Sequence, residues 1–223
     1  MPSTPTIPSF LPPAAPERAS RGATYRAAVK RAVDVLLVLL AAPVVVPVVA
    51  LLAGLVMLDG AAPFYAQDRI GRNGRRFRLW KLRSMVPDAD AALAAHLAAD
   101  PAARAEWDHH QKLARDPRIT RAGRVIRATS LDELPQLWNV LVGEMSLVGP
   151  RPMMVDQRAL YPGHAYYRLR PGLTGAWQVS DRHASGFADR ARFDGDYDRR
   201  LSPMDDARLL ARTVGVVLRA TGR

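Results

Sequence analysis

Asp132 and Glu133 are adjacent carboxylates in the stretch from Ser130 to Pro152, SLDELPQLWNVLVGEMSLVGPRP. Arg151 ends that stretch between two prolines, whose fixed φ angles hold the chain around it. Arg124 and Arg127 add cations just upstream. Carboxylates beside held arginines are the groups with which a chain binds a divalent metal and handles phosphate.

The carboxylates also have a purely local reading. Ser130 and Glu133 have the spacing of a capping box, and Asp132 as the N-cap would suit Pro135. The chemical reading starts from the same helix terminus, where free N–H groups, the dipole and nearby arginines favour anions and keep a carboxylate ionised. An ionised aspartate attacks phosphorus to form an acyl phosphate. Two carboxylates and phosphate groups in one site repel each other, so Mg²⁺ is the expected cofactor, with Asp132 and Glu133 as its protein ligands.

Helical spacing predicts that residues 130–141 form a short helix burying Leu131, Leu134, Leu137, Trp138 and Leu141 on one face. Residues 63–70 and 76–82 read as a hairpin around Gly71-Arg72-Asn73-Gly74. Residues 88–107 read as an alanine-rich helix interrupted at Asp100-Pro101, a surface excursion. Its His96, and His109 and His110 just beyond, lack a metal-ligand pattern. Residues 145–148 form a short strand. Helices follow over 156–168, with a break at Pro162-Gly163, and over 187–199. A last helix starts at Ser202-Pro203, with Asp205 and Asp206 in its first turn. The expected class is α/β, helix-rich with a small sheet.

The apolar fraction of 48% in 223 residues allows one domain of ordinary size with a real core. Cysteine is absent, which excludes disulfides and thiolate metal sites. A net charge of +11 calls for an anionic partner. No helix-turn-helix, zinc-finger or aromatic-rich single-strand pattern points to nucleic acid. Residues 1–22, rich in Pro, Ser and Ala, read as a flexible tail without the pattern of a signal peptide.

Residues 26–59 hold the membrane element. The 24 residues from Val35 to Leu58 carry no charge. A straight helix of that length reaches about 36 Å, enough for a bilayer core of about 30 Å. Pro43 and Pro47 favour a kink, and halves divided at Pro47 would be too short to cross. Basic residues flank both ends, which puts both on the cytoplasmic side. A re-entrant helix broken at Pro47 fits; a kinked crossing helix is the alternative. Residues 60–223 form the expected cytoplasmic domain.

Further blocks accompany these. They are Lys30-Arg31-x-x-Asp34, Phe64-Tyr65-x-Gln67-x-Arg69-Ile70-Gly71, Phe77-x-Leu79-x-Lys81-Leu82-Arg83-Ser84-Met85, Asp116-Pro117-Arg118-Ile119-Thr120 and Arg170-Pro171-Gly172-Leu173-Thr174-Gly175-x-Trp177-Gln178-Val179. In this order, with the 130–152 stretch, they resemble the bacterial sugar transferases, the monotopic phosphoglycosyl transferases. The resemblance covers roughly residues 30–213.

That family moves a phosphosugar from a nucleotide diphosphate sugar to a polyprenyl phosphate. The resemblance implies that Asp132 is the nucleophile and that Glu133 works with Mg²⁺ and the acceptor. It implies that Arg127 and Arg151 face phosphates and that Pro47 marks the helix break. Lys81, Arg83 and Arg170 are further cations for substrate, lipid headgroups or a structural carboxylate, and Gln178 is placed to reach the nucleotide. The segment from Asp88 to Lys112 resembles exopolysaccharide-initiating members, which implies a UDP-hexose (galactose or glucose) as donor and undecaprenyl phosphate as acceptor. The implied location is the inner membrane of a bacterium with the domain on its cytoplasmic face; a homodimer stays open. The family reads Gln-Val-x-Gly-Arg where this chain has Gln178-Val179-Ser180-Asp181-Arg182, which puts a substrate role for Arg182 in question. Charge and the apolar run alone would also suit a non-catalytic adaptor on anionic lipid, but that leaves the 130–152 blocks without a purpose. Direct transfer, with Asp132 as general base, is the alternative to a covalent route.

Overall fold

Helix α1 (Lys30–Met57) comes first in the computed structural model, which describes residue 25 and residues 29–58, 60–110, 113–180 and 187–218. The expected tail at 1–22, Asp181 and Arg182 lie outside the described residues. At 28 residues, α1 is long and apolar enough to cross a membrane. It runs through Pro43 and Pro47 as one helical element. Its middle exposes Leu39, Leu40, Val44, Val46 and Leu51.

Both ends of α1 are buried against the rest of the chain. Near the start, Asp34 accepts hydrogen bonds from Ser146 Oγ at 2.7 Å and from the Leu147 N–H at 3.2 Å. Val38 joins the main core with Phe77, Leu79, Val140 and Met145. Near the other end, Ala53 and Val56 pack with Leu82 and Ile126, and Leu131 lies against that cluster. Arg83 donates to the Val56 carbonyl at 3.0 Å and to the Ala62 carbonyl at 2.7 Å. It supplies donors where a helix C-terminus leaves carbonyls open.

Strands β1 (Phe64–Ile70) and β2 (Arg76–Leu82) form the expected hairpin, with Phe64 opposite Leu82 and Ile70 opposite Arg76. Asn73 (φ 59°) and Gly74 (φ 74°) supply the left-handed backbone of its turn. Helices α2 (Ala89–Ala99) and α3 (Pro101–His110) split at Asp100-Pro101 as expected. Arg118 pairs with Asp116 at 2.7 Å and lies over the Trp107 ring, which fixes the junction after α3. Helix α4 (Arg121–Ala128) is capped by Thr120, whose Oγ1 accepts the Gly123 N–H at 2.9 Å.

The expected helix over 130–141 is two elements. Residues Leu131–Glu133 form a single 3₁₀ turn, and α5 (Gln136–Val142) begins only after Pro135. Ser130 sits at φ 57° and makes no side-chain cap, so the capping box does not form. The buried face of α5 is shifted: Leu137 and Leu141 pack against the main core as expected, but Gln136, Asn139 and Val140 are the fully buried residues and Trp138 is 60% exposed. Asn139 explains the rotation. Its Oδ1 accepts the Trp80 N–H at 3.2 Å, and its Nδ2 donates to the Arg78 carbonyl at 2.8 Å, extending the open edge of β2.

Strands β3 (Ser146–Val148) and β5 (Gly172–Thr174) pair in parallel, and β4 (Met153–Met154) joins β1 to give the order β2-β1-β4. Between β4 and β5 lie the 3₁₀ segment Asp156–Leu160 and the short α6 (Ala165–Arg168). Helices α7 (Arg190–Arg200) and α8 (Pro203–Leu218) complete the chain. Ser202 Oγ accepts the Asp205 N–H at 3.2 Å at the start of α8. Asp206, at 6% exposure, receives Tyr25 at 2.7 Å, Lys30 at 2.6 Å and Tyr197 at 2.6 Å. That node ties the entry to α1 to α7 and α8.

Candidate active site

Three elements meet at the carboxylate pair. The 3₁₀ turn presents Asp132 and Glu133, and β2 delivers Lys81 from the opposite side. Lys81 Nζ lies 2.8 Å from Glu133 Oε1 and 3.5 Å from Asp132 Oδ2. Leu82 and Leu131, the chain neighbours of Lys81 and Asp132, pack with Ala53 and Val56 of α1. The end of the apolar helix therefore forms the floor on which the charged cluster stands.

Burial pushes the Asp132 carboxyl above its usual range, the Lys81 and Arg127 cations pull it back, and Glu133 pushes it further up. Asp132 and Glu133 stand in a 3₁₀ turn rather than at an α-helix start, and at Asp132 desolvation outweighs the cations.

Arg151 arrives by a different route. Its loop is pinned to the β3–β5 pair: Gly149 N–H donates to the Thr174 carbonyl and Gly172 N–H to the Pro150 carbonyl, each at 2.8 Å. A Cβ on Gly149 would stand 2.3 Å from the Arg170 carbonyl oxygen, so only glycine fits this approach.

Two cavities share a wall at this point. The first, about 300 Å³, is lined by Lys81 and Glu133 and by the guanidinium residues Arg69, Arg151 and Arg190, with Gln178. The second, about 250 Å³, is mainly apolar, with Leu131, Leu134, Leu147, Val179, Leu210 and Val216 around it. Glu133, Arg151, Leu173 and Gln178 belong to both.

Of the residues anticipated from sequence, Lys81, Asp132, Glu133, Arg151 and Gln178 come together. Arg127 is exposed at the end of α4, close enough for Asp132 to feel its charge. Arg83 is held at the end of α1, and Arg170 donates to the Gly143 carbonyl at 3.0 Å beside α5. Neither lines the two cavities. Arg69 and Arg190 were not anticipated as site residues. Arg69 lies in the Phe64–Gly71 block, but its strand position gives no sign that it shares a cavity wall with Glu133. Arg190 carried no motif signal.

Among the described residues no group of three or more His, Asp or Glu side chains forms a metal cage. The Asp132–Glu133 pair does fit a cation completed by substrate oxygens, since the Lys81 ammonium already occupies that position.

The chain belongs to the bacterial sugar transferase family, whose model matches residues 25–220. Similarity to individual relatives is strong. A UDP-galactose-lipid carrier transferase of Erwinia amylovora is 47% identical over 86% of this chain, which spans 41% of that protein. An undecaprenyl-phosphate galactose phosphotransferase of Salmonella typhimurium is 44% identical over 86% of this chain, again spanning 41% of the relative. The exopolysaccharide production protein ExoY of Sinorhizobium fredii is 43% identical over 86% of this chain and 87% of its own length. The chain thus spans about two fifths of the longer relatives and most of the shorter one.

Proposed function

We propose that this chain transfers a hexose 1-phosphate from a UDP-hexose to undecaprenyl phosphate, releasing UMP, as the first membrane step of exopolysaccharide synthesis. The observation that carries this reading is the position of the Lys81–Asp132–Glu133 cluster. Glu133 stands where an arginine-lined cavity meets an apolar one, Lys81 lines the first, and Asp132 is joined to that wall through Lys81. A diphosphate donor suits the first cavity and the start of a polyprenyl chain the second. Galactose is the sugar printed in the names of two relatives, and it is the favoured donor sugar, with glucose as the alternative.

In the first step an Asp132 carboxylate oxygen attacks the phosphorus bonded to the sugar. The bond from that phosphorus to the bridging oxygen breaks, and UMP departs with the electron pair. A phosphate oxygen of the acceptor then attacks the same phosphorus, which releases Asp132 and forms the lipid diphosphosugar. Burial makes Asp132 a more basic nucleophile than an exposed aspartate, and Lys81 stabilises its charged form. Asp132 and Glu133 would hold Mg²⁺, which supplies charge neutralisation for the leaving phosphate. Arg151 lies where it would meet the phosphates of either substrate.

The membrane reading is a re-entrant α1 with the domain on the cytoplasmic face. The burial of Asp34 and Val38 at one end and Ala53 and Val56 at the other supports it, since both ends meet the same domain.

The decisive experiment measures UMP release by detergent-solubilised protein with Mg²⁺, undecaprenyl phosphate and a panel of UDP-sugars. Release from one donor, abolished in Asp132→Asn, is expected. Folded protein that gives no UMP with any donor would refute the UDP-sugar assignment. Trapping a phosphosugar on Asp132 without acceptor separates the covalent route from direct transfer.

A further inference from the structure

Among the described residues, three side-chain nitrogen or oxygen atoms are buried with no hydrogen-bond partner: Arg69 Nε, Arg190 Nε and Gln178 Oε1. All three residues line the same polar cavity. Buried polar atoms without partners are rare in folded chains, and each calls for an explanation. Their convergence on one cavity identifies the explanation as a ligand.

The cations around that cavity point to the ligand's charge. Arg69 and Arg190 both feel the Arg151 charge, and Arg190 also feels that of Arg69. Burial lowers the Arg69 and Arg190 pKa values, and the Arg151 charge is the next cause for each, bringing Arg190 down to about 10. Among the described residues Glu133 is the only carboxylate in the cavity wall, and it is already joined to Lys81 at 2.8 Å. Asp194, the carboxylate that Arg190 feels, accepts the Tyr161 hydroxyl at 2.8 Å and is absent from the cavity wall. Three crowded guanidiniums are unfavourable together unless an anion joins them.

Arg190 is also held for the purpose. Its guanidinium lies 4.1 Å from the Trp177 ring centroid and 4.5 Å from that of Phe187. Stacking against rings fixes the guanidinium plane while leaving its edge N–H groups to a ligand. Arg69 is fixed by its Nη2 donating to Gln67 at 2.5 Å and its Nη1 to the Pro152 carbonyl at 3.5 Å, while its Nε has no partner.

We propose that Arg69, Arg151 and Arg190 form a cage for a diphosphate, in which Arg69 Nε and Arg190 Nε donate to its oxygens and Gln178 Oε1 accepts from a hydroxyl of the attached group. In the transferase reading, on which this assignment of the diphosphate rests, the cage holds the leaving nucleotide's phosphate. The carboxylate pair faces the phosphate that is transferred.

The test is calorimetric titration of the detergent-solubilised full chain with inorganic pyrophosphate in EDTA, without donor or acceptor. Wild type is expected to bind. Arg190→Met should weaken binding about 10- to 100-fold, the range for losing a charge-assisted hydrogen bond. Arg190→Lys should fall between the two, since it restores charge without the planar fork. Arg192→Met, which removes an exposed arginine on the same helix, should leave affinity unchanged and thereby exclude a bulk-charge effect. Wild type that does not bind would overturn the proposal. So would equal affinity in both Arg190 variants, or an equal loss in Arg192→Met. Binding that needs Arg190 in a protein releasing no UMP would sink the transferase reading alone; UMP release with pyrophosphate affinity indifferent to Arg190 would sink the cage alone.

Discussion

Lys81 Nζ lies 2.8 Å from Glu133 Oε1, and the same ammonium reaches Asp132 at 3.5 Å. One cation thus serves two carboxylates, the second of which burial drives towards its neutral form. For Asp132 to act as a nucleophile it must be ionised, so UMP release should rise with pH through the Asp132 titration. Removing Lys81 removes a cause that lowers the Asp132 pKa. In Lys81→Met the acid limb of the pH–rate profile should therefore move to higher pH, with a lower rate at neutral pH. An unmoved limb would separate Lys81 from the ionisation of Asp132.

The same burial predicts a stability effect of opposite sense to the activity effect. A carboxyl with a raised folded pKa binds more protons in the folded state, so its contribution to stability declines as pH rises from the unfolded value through the folded one. At neutral pH the charged Asp132 is a net burden on the fold. Asp132→Asn should raise Tm at pH 7 while eliminating turnover, and the gain should shrink in acid. A lower Tm at pH 7 would contradict this.

Asn139 is fully buried and splices α5 to the edge of β2. Asn139→Leu strands the Trp80 N–H and the Arg78 carbonyl, a loss of about 1–3 kcal/mol for each buried group left unpaired. Thermal unfolding should register the drop. Because β2 also carries Lys81, turnover should fall with it.

Gly149 has no room for a methyl group beside the Arg170 carbonyl. Gly149→Ala should cost about 1–3 kcal/mol, as overpacking does, and should displace Arg151. Turnover should fall further than the loss of folded protein explains. A variant with native Tm and native kcat would remove the pinned-loop account of Arg151.

Cysteine is absent, so single cysteines can report the course of α1 without a background. Val29→Cys and Ala61→Cys flank the helix. An impermeant maleimide should label both in inverted inner-membrane vesicles and neither in spheroplasts. Labelling of one from each side would establish a crossing helix instead.

Much of this arrangement was legible in residue order. Gly71-Arg72-Asn73-Gly74 announced the hairpin, Asp100-Pro101 the division of α2 from α3, and the 130–152 stretch the carboxylates, because each depends on local backbone preference. What failed was long-range. Within 130–141, Leu131, Leu137 and Leu141 pack against the core clusters but are only partly buried, and Trp138 faces out, because Asn139 gains two backbone partners on β2 that helical periodicity does not register. Arg83 and Arg170 looked like substrate cations but satisfy carbonyls near the ends of α1 and α5. Arg69 and Arg190 stand 121 positions apart in the chain and meet only through the pairing of β1 and the stacking around Trp177.

In the proposed membrane reading, helix α1, fastened to the domain at Asp34 and again at Val56, also sets the units in which a lipid substrate is counted. A domain moored at two points cannot rise from its surface to search the bulk, and its reactive turn stays at one height. The acceptor it encounters is then a density per area, not a concentration per volume. Diluting that acceptor with inert lipid slows the chain even when the test tube contains the same amount, whereas adding buffer does nothing.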